Sequence, residues 1–402
     1  MTDQSPEVTR RDFLGAAGAA GVAGAATLAG SMSFAAAVPA PARLASDRKI
    51  RIGVVGGRFG ASFQWHLDPN CHVEAVSDLR PERRAHLQRV YKCPKAYESI
   101  EKLVLDPKIE AVAVFTGAPD HPRHVLECFK HGKHVISAVP ACLTLDEAAA
   151  MKEAKERTGL KYMMAETSYY RQECILARQL WADGAFGRFL YSEVEYYHPH
   201  QYGEGKRLWF HNGKRTWRYG YPPMLYVTHS TGFHTGINRE RLTHVSCLGW
   251  GNDSPVLKDN RYDNPFWNMV ALYKTTGPSI CRCNVFWHAH AHGVRAQWLG
   301  EGLSMYARGP AGQPFVIRAQ GKPDVRTHSN FHHLLPKPLR VRSGHGGSHT
   351  FITHEFIAAL VEDREPAVDL YEALAMTVPG IVAMDSAHKH GEQLKVPSFD
   401  KA

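Results

Sequence analysis

The chain has no CxxC pair, no zinc-ribbon spacing, no dense run of lysine and arginine, and no internal repeat. Beyond the N-terminal region, no stretch reaches the roughly eighteen apolar residues that a membrane helix needs. These absences argue against a metal-stapled mini-domain, a nucleic-acid groove and a membrane span. The eight cysteines are scattered. Cys281 and Cys283 would share one face of a strand, which favours buried thiols over a disulfide framework.

What is present is ordinary globular composition over 402 residues, with 44% hydrophobic and 22% charged residues. That length allows two domains. The net charge is +9, with 24 histidines besides. A basic surface of this kind suits an anionic polymer or no specific partner.

The first forty-five residues read as an address. Thr9-Arg10-Arg11-Asp12-Phe13-Leu14 precedes a weakly apolar Ala/Gly stretch and a small-residue end, with an A-x-A pattern at Ala40-Pro41-Ala42 and cleavage expected between Ala37 and Ala45. The pattern resembles a twin-arginine signal, read by a receptor, so the expected destination is the periplasm or the cell surface. Passengers of that pathway cross the membrane folded.

From Lys49 the pattern becomes strand, glycine turn, helix. Lys49 to Val55 reads K-I-R-I-G-V-V, a short strand, and Gly56-Gly57-Arg58-Phe59-Gly60-Ala61 follows. Glycine permits a tight turn, and a helix N-terminus offers free N–H groups to a pyrophosphate. Arg58 stands where the fingerprint has its second glycine. Asp78, 22 residues beyond Gly56 and closing a second strand, is placed for ribose hydroxyls. A carboxylate there prefers NAD to NADP, although Arg80 and Arg83 leave some room for NADP. Strands and helices then alternate to Ala165, which means a doubly wound parallel sheet. Thr116, Pro119 and His121 lie in or beside the loop after the Ile109–Phe115 strand, at its ligand-binding end.

Gly117-Ala118-Pro119-Asp120-His121, His124, Gly132-Lys133-His134-Val135 and the turn at Pro140 resemble the Gfo/Idh/MocA oxidoreductase family. Where dehydrogenases of that family read E-K-P, with a lysine that helps proton transfer, this chain has Ala138-Val139-Pro140. Leu225 stands where such enzymes tend to carry an Asp four residues before a catalytic histidine. Glu166-Thr167-Ser168-Tyr169-Tyr170, Arg215-Thr216-Trp217-Arg218, Tyr226-Val227-Thr228-His229 and Gly344-His345-Gly346-Gly347 resemble its glycoside hydrolase family 109 branch. That branch keeps a glutamate at the position of Ala138 and usually reads Y-P-T-H-G where this chain has Y-V-T-H-S-T.

The resemblance implies a Rossmann domain over 46–165 and an α+β substrate domain over 166–402, with an open mixed sheet and terminal helices bracing the first domain. It implies tightly bound NAD and a hydrolysis without net redox change. NAD takes hydride from a sugar carbon, the acidified neighbouring C–H loses its proton, the substituent leaves, water adds and the hydride returns. Such chemistry uses tyrosine and histidine. His229 is the candidate for the hydroxyl proton, and Tyr226 for proton abstraction or binding. A tyrosine with its ordinary pKa of about 10 is a weak base near neutrality, and Arg218 is the candidate cation to assist it. Gly56, Gly57, Arg58, Phe59, Gly60, Asp78, Thr116, Pro119, His121, Pro140 and Glu166 form the expected cofactor set, with Glu166 toward the ribose or nicotinamide. Tyr170, Trp217 and His345 are pocket candidates.

Two alternatives stay open: a sugar dehydrogenase with net turnover of NAD(P), and a non-catalytic nucleotide or sugar sensor. The alternation of His288, His290 and His292 predicts three imidazoles on one strand face. Neighbours there lie about 6.6 Å apart, too far for one ion, so no metal is expected. A small carbohydrate is the expected partner, nucleic acid is not, and an open sheet face makes a homo-oligomer the expected assembly.

Overall fold

Every residue of the first strand, β1 (Ile50–Val55), is buried except Arg51. A strand buried at every position but one is covered on both faces. In the computed structural model, which describes residues 46–200, 206–307 and 314–401, β1 lies central in a parallel sheet. The other strands are β2 (Cys71–Ser77), β3 (Ala96–Tyr97), β4 (Ala111–Val114), β5 (His134–Ser137) and β6 (Tyr162–Met164). Their order is β3-β2-β1-β4-β5-β6, so the winding reverses between β1 and β4. Ligands of doubly wound sheets sit at that switch point, beyond the strands' C-terminal ends. The signal-peptide reading of residues 1–45 lies outside the described residues.

The covering helices start where local chemistry starts them. Pro81 occupies the first turn of α1 (Pro81–Tyr91) and Pro122 that of α2 (His121–Lys130). A reciprocal capping box of Thr144 and Glu147 opens α3 (Leu145–Thr158), and Gly159, at φ 67°, closes it. Removing the Thr144 hydroxyl would cost about 1 kcal/mol.

One expectation fails beside β1. No α-helix follows the glycine turn; Phe59–Ser62 and Trp65–Leu67 are single 3₁₀ turns. Between them Phe63 is extended, which inserts its ring between Phe115 (centroids 4.4 Å) and His349 (4.5 Å). Burying Phe63 and Trp65, which are 1% and 0% exposed, outweighs continuing a helix here.

After α4 (Gln172–Ala182) comes β7 (Phe189–Tyr197) and a small ribbon, β8 (Phe210–His211) with β9 (Lys214–Arg215). The helix α5 (Thr228–Asn238) follows. Then come β10 (Leu242–Trp250), β11 (Asn268–Thr275), β12 (Ile280–Phe286), β13 (Gly293–Gly300), β14 (Leu303–Ala307), β15 (Phe315–Ala319) and β16 (Val325–Thr327). Two long helices, α6 (Ser348–Val361) and α7 (Leu370–His388), precede a short β17 (Leu394–Lys395). The second sheet runs β16-β15-β14-β13-β7-β12-β11-β10-β17, antiparallel except where β12 pairs with β7. The expected parallel sheet plus open mixed sheet is therefore the architecture.

The histidine stripe is not on a strand. His288, His290 and His292 occupy the connection between β12 and β13. Extension ends at Phe286, and the bend lets His288 face Trp250 while His292 turns to Tyr196. Among the described residues no cluster of histidine, cysteine or acidic side chains could hold a metal, and no helix is long and apolar enough to cross a membrane. All eight cysteines are free and buried, as their spacing suggested.

Candidate active site

The cofactor end is built by three strand tips. Gly56 has φ 103°, and a Cβ there would lie 2.2 Å from the Phe115 carbonyl oxygen. Only glycine lets the loop cross β4 this closely. The next amide, Gly57 N–H, donates to Asp78 Oδ2 at 2.7 Å, and the Arg80 amide donates to Oδ1 at 2.9 Å. Asp78 is thereby fixed beside the loop as a carboxylate with lone pairs to spare. Arg58 is exposed at the turn, and Phe59 points toward the second domain, edge-on to His345 and His349.

Around β4, His121 Nδ1 lies 2.8 Å from the Pro140 carbonyl oxygen, and Nε2 lies 3.3 Å from that of Thr116. It ties together the two loops that carry Thr116, Pro119 and Pro140. Burial pushes its pKa down, and the single N–H of the neutral ring goes to the nearer carbonyl, that of Pro140. His124, held at about 4 by burial and then by Arg123, receives the same treatment through the Thr116 hydroxyl at 2.9 Å.

The second domain brings His229 to this edge. Val227 ends a 3₁₀ turn that contains Tyr226, and α5 begins at once, with the ten residues Thr228 to Ile237 all buried. Small residues let α5 approach the end of β6: a Cβ on Gly232 would sit 2.9 Å from Glu166 Cγ. As a result Glu166 Oε1 is 2.9 Å from His229 Nδ1 and also accepts the Ser168 amide at 2.8 Å. Ser168 Oγ in turn donates to the His229 carbonyl at 2.7 Å. Burial opposes the charge on Glu166, yet the His229 charge and the hydrogen bonds outweigh it and hold its pKa below the ordinary value. The other oxygen, Oε2, is buried, and the Thr228 hydroxyl is the further side chain that helps hold the carboxylate charged.

Aromatic and basic side chains surround the pair. The ring of Tyr226 is 5.1 Å from that of His229 and roughly perpendicular; Tyr196 is at 4.6 Å and His345 at 6.4 Å. Arg218 lies 4.2 Å over the Trp217 ring and 6.0 Å from the Tyr226 ring. Trp217 meets the first domain, since a Cβ on Gly117 would fall 2.8 Å from its indole. His229, Tyr226, Arg218, Trp217, His345 and Glu166 are thus gathered where the domains meet. Tyr170 is placed elsewhere: its ring packs on Tyr169 and stacks on Phe351 of α6, with its hydroxyl buried.

Sequence reasoning passed over Tyr196, His349 and the contact of Glu166 with His229. Tyr196 was findable, because alternation along β7 puts it on one face with His198. His198 is neutral, its pKa lowered by burial to about 4, and His200 is lowered further. The Glu166 contact joins residues 63 apart in the chain and leaves no local signal.

Residues 50–166 match the profile of the Gfo/Idh/MocA oxidoreductase family with its NAD-binding Rossmann fold, and residues 324–402 match the glycosyl hydrolase 109 C-terminal domain. A glycosyl hydrolase family 109 protein of Saccharopolyspora erythraea is 23% identical over 88% of this chain and 83% of its own length. Others from Akkermansia muciniphila (27%) and Shewanella baltica (29%) match 60% and 62% of this chain, but 52% and 59% of their own lengths. A levoglucosan dehydrogenase in complex with NADH and levoglucosan superposes with a TM-score of 0.74 at 17% identity, covering 87% of this chain and 100% of that one. An oxidoreductase domain protein from Kribbella flavida superposes with a TM-score of 0.74 at 16% identity, over 87% and 100%. The chain is thus similar to Gfo/Idh/MocA oxidoreductases over its NAD-binding domain and to glycosyl hydrolase 109 proteins along most of its length.

Proposed function

We propose that this protein is an exported NAD-dependent glycosidase that cleaves its substrate without net redox change and keeps its nucleotide bound between turnovers. The observation that carries the reading is the buried Glu166–His229 pair at the mouth of the dinucleotide domain, ringed by tyrosine, histidine and arginine. A facing pair of carboxylates, the usual glycosidase device, is not what surrounds His229.

The cofactor residues fit NAD. Gly56 and Gly57 bring the backbone to the switch point, and Asp78 keeps acceptor capacity for ribose hydroxyls. Glu166 Oε2, a buried carboxylate oxygen beside His229, would be the acceptor for the nicotinamide side of the nucleotide. When bound, NAD supplies a reversible hydride acceptor that acidifies a sugar C–H.

The protein's own groups move the protons. With Nδ1–H donated to Glu166, His229 presents a bare Nε2 that takes the proton of the hydroxyl being oxidised and later returns it. Tyr226, edge-on to that ring, faces the same space and serves the neighbouring C–H or its enolate. Arg218 and Trp217 form a cation–aromatic platform for the sugar. The twin-arginine-like leader supports export to the periplasm or surface of an already folded, loaded protein.

Turnover of a nitrophenyl glycoside in D₂O tests the mechanism. Elimination followed by addition places solvent deuterium on the carbon beside the transient ketone. A sugar product without deuterium would reject the route.

The dehydrogenase reading rests on the same histidine–carboxylate pair, which also suits simple hydroxyl oxidation. Net NADH formation separates the two.

A further inference from the structure

Two histidines outside the proposed proton-transfer set form a directed chain. His349 Nδ1 lies 3.0 Å from the Ser62 carbonyl oxygen, and His349 Nε2 lies 2.8 Å from His345 Nδ1. Ser62 ends the turn that follows the nucleotide-binding glycines. A carbonyl can only accept, so His349 carries its proton on Nδ1. Neutral His349 then has a lone pair on Nε2, and His345 must donate to it from Nδ1. That leaves His345 Nε2 without a proton. The sense of the chain is fixed by its carbonyl end.

The surroundings are built to hold this arrangement. His349 is 1% exposed and stacks on Phe63, with interplanar angle 14°. Gly344 is required there, because a Cβ would lie 2.4 Å from the His349 ring. His345 itself has φ 53°, a left-handed conformation that non-glycine residues rarely take, and Gly346 and Gly347 follow at 70° and 94°. Ser348 Oγ holds the His345 carbonyl at 2.7 Å. Burial, then His349, His229, Arg171 and His292, push the His345 pKa down to about 3, so this ring is neutral at working pH.

We infer that the Ser62 carbonyl, acting through His349, locks His345 as a hydrogen-bond acceptor for a substrate hydroxyl in the cleft beside His229. His349 is a positioning residue, and the nucleotide loop thereby sets the donor–acceptor pattern that the cleft offers to a polyol. The assignment of a sugar ligand rests on the proposed function; the tautomer does not.

Imidazole tautomers are read by two-bond ¹H–¹⁵N correlation on the full mature protein labelled at histidine, with His345→Ala identifying the His345 signals. At pH 7 the His345 Nδ1 is expected in the protonated, pyrrole-like range and Nε2 in the bare, pyridine-like range. His349→Gln can accept from His345 and donate to Ser62, so it should preserve that pattern. His349→Phe keeps the stack on Phe63 but should release His345 to the Nε2–H form. A wild-type His345 protonated on Nε2, or one unchanged in His349→Phe, would overturn the inference. Neither result depends on glycoside turnover, so failure here and failure of the glycosidase reading are distinguishable.

Discussion

Glu166 Oε1 and His229 Nδ1 stand 2.9 Å apart although 63 residues separate them, and the Glu166 side chain is wholly buried. The pair supplies the carboxylate that Leu225, one turn before His229, does not. Glu166→Gln keeps the volume but removes the charge that favours Nδ1–H and stabilises the imidazolium. By the usual worth of a residue that orients a catalytic histidine, kcat should fall about 10- to 100-fold with little change in KM. Steady-state kinetics on a nitrophenyl glycoside check this; a KM effect alone would make Glu166 a binding residue instead.

Gly117→Ala probes the junction of the two domains. The added methyl would meet the Trp217 indole at 2.8 Å and displace it, together with the Arg218 guanidinium stacked on it. The platform should loosen while the Glu166–His229 pair stays intact. The expected result is a raised KM, a smaller loss in kcat, and altered tryptophan fluorescence.

Much of this was legible in the sequence, and the misses share a cause. The strand–glycine–strand spacing placed Gly57 and Asp78 together, and Tyr226 and His229 fell on one face as their spacing of three implied. Local rules failed where tertiary packing overrode them. The helix after Gly60 is absent because Phe63 is needed between Phe115 and His349. The period-two histidines lie in a bend because pairing of β12 ends at Phe286. The contact of Glu166 with His229 left no local signal because 63 residues separate them.

Stability should fall in acid. His124, His198 and His234 are pushed down to about 4 and His345 to about 3, burial being the first cause in each. Unfolded histidine titrates near 6.5, so between about 6.5 and 4 the unfolded chain binds more protons than the folded one. Unfolding free energy therefore rises with pH through that window and is lost as pH falls through it. Urea midpoints at pH 7, 6, 5 and 4 should decrease in order, and His234→Phe should flatten part of the slope.

The expected homo-oligomer has a surface to form on. Leu248, Trp250, Val270 and Leu272 are 64%, 49%, 38% and 52% exposed on neighbouring strands β10 and β11. A contiguous apolar sheet face of this kind is what a subunit contact would cover, and we propose a homo-oligomer formed through it. The double variant Leu248→Glu/Leu272→Glu should shift the sedimentation profile to monomer, while the wild type sediments as a larger species.

The most direct measurement follows nitrophenolate and NADH absorbance together as the purified mature protein meets a panel of α- and β-nitrophenyl glycosides and free sugars. Nitrophenol should be released with no accumulation of NADH, and His229→Ala should abolish the release. NADH accumulation on free sugars without nitrophenol release would contradict the glycosidase reading and make the protein a dehydrogenase.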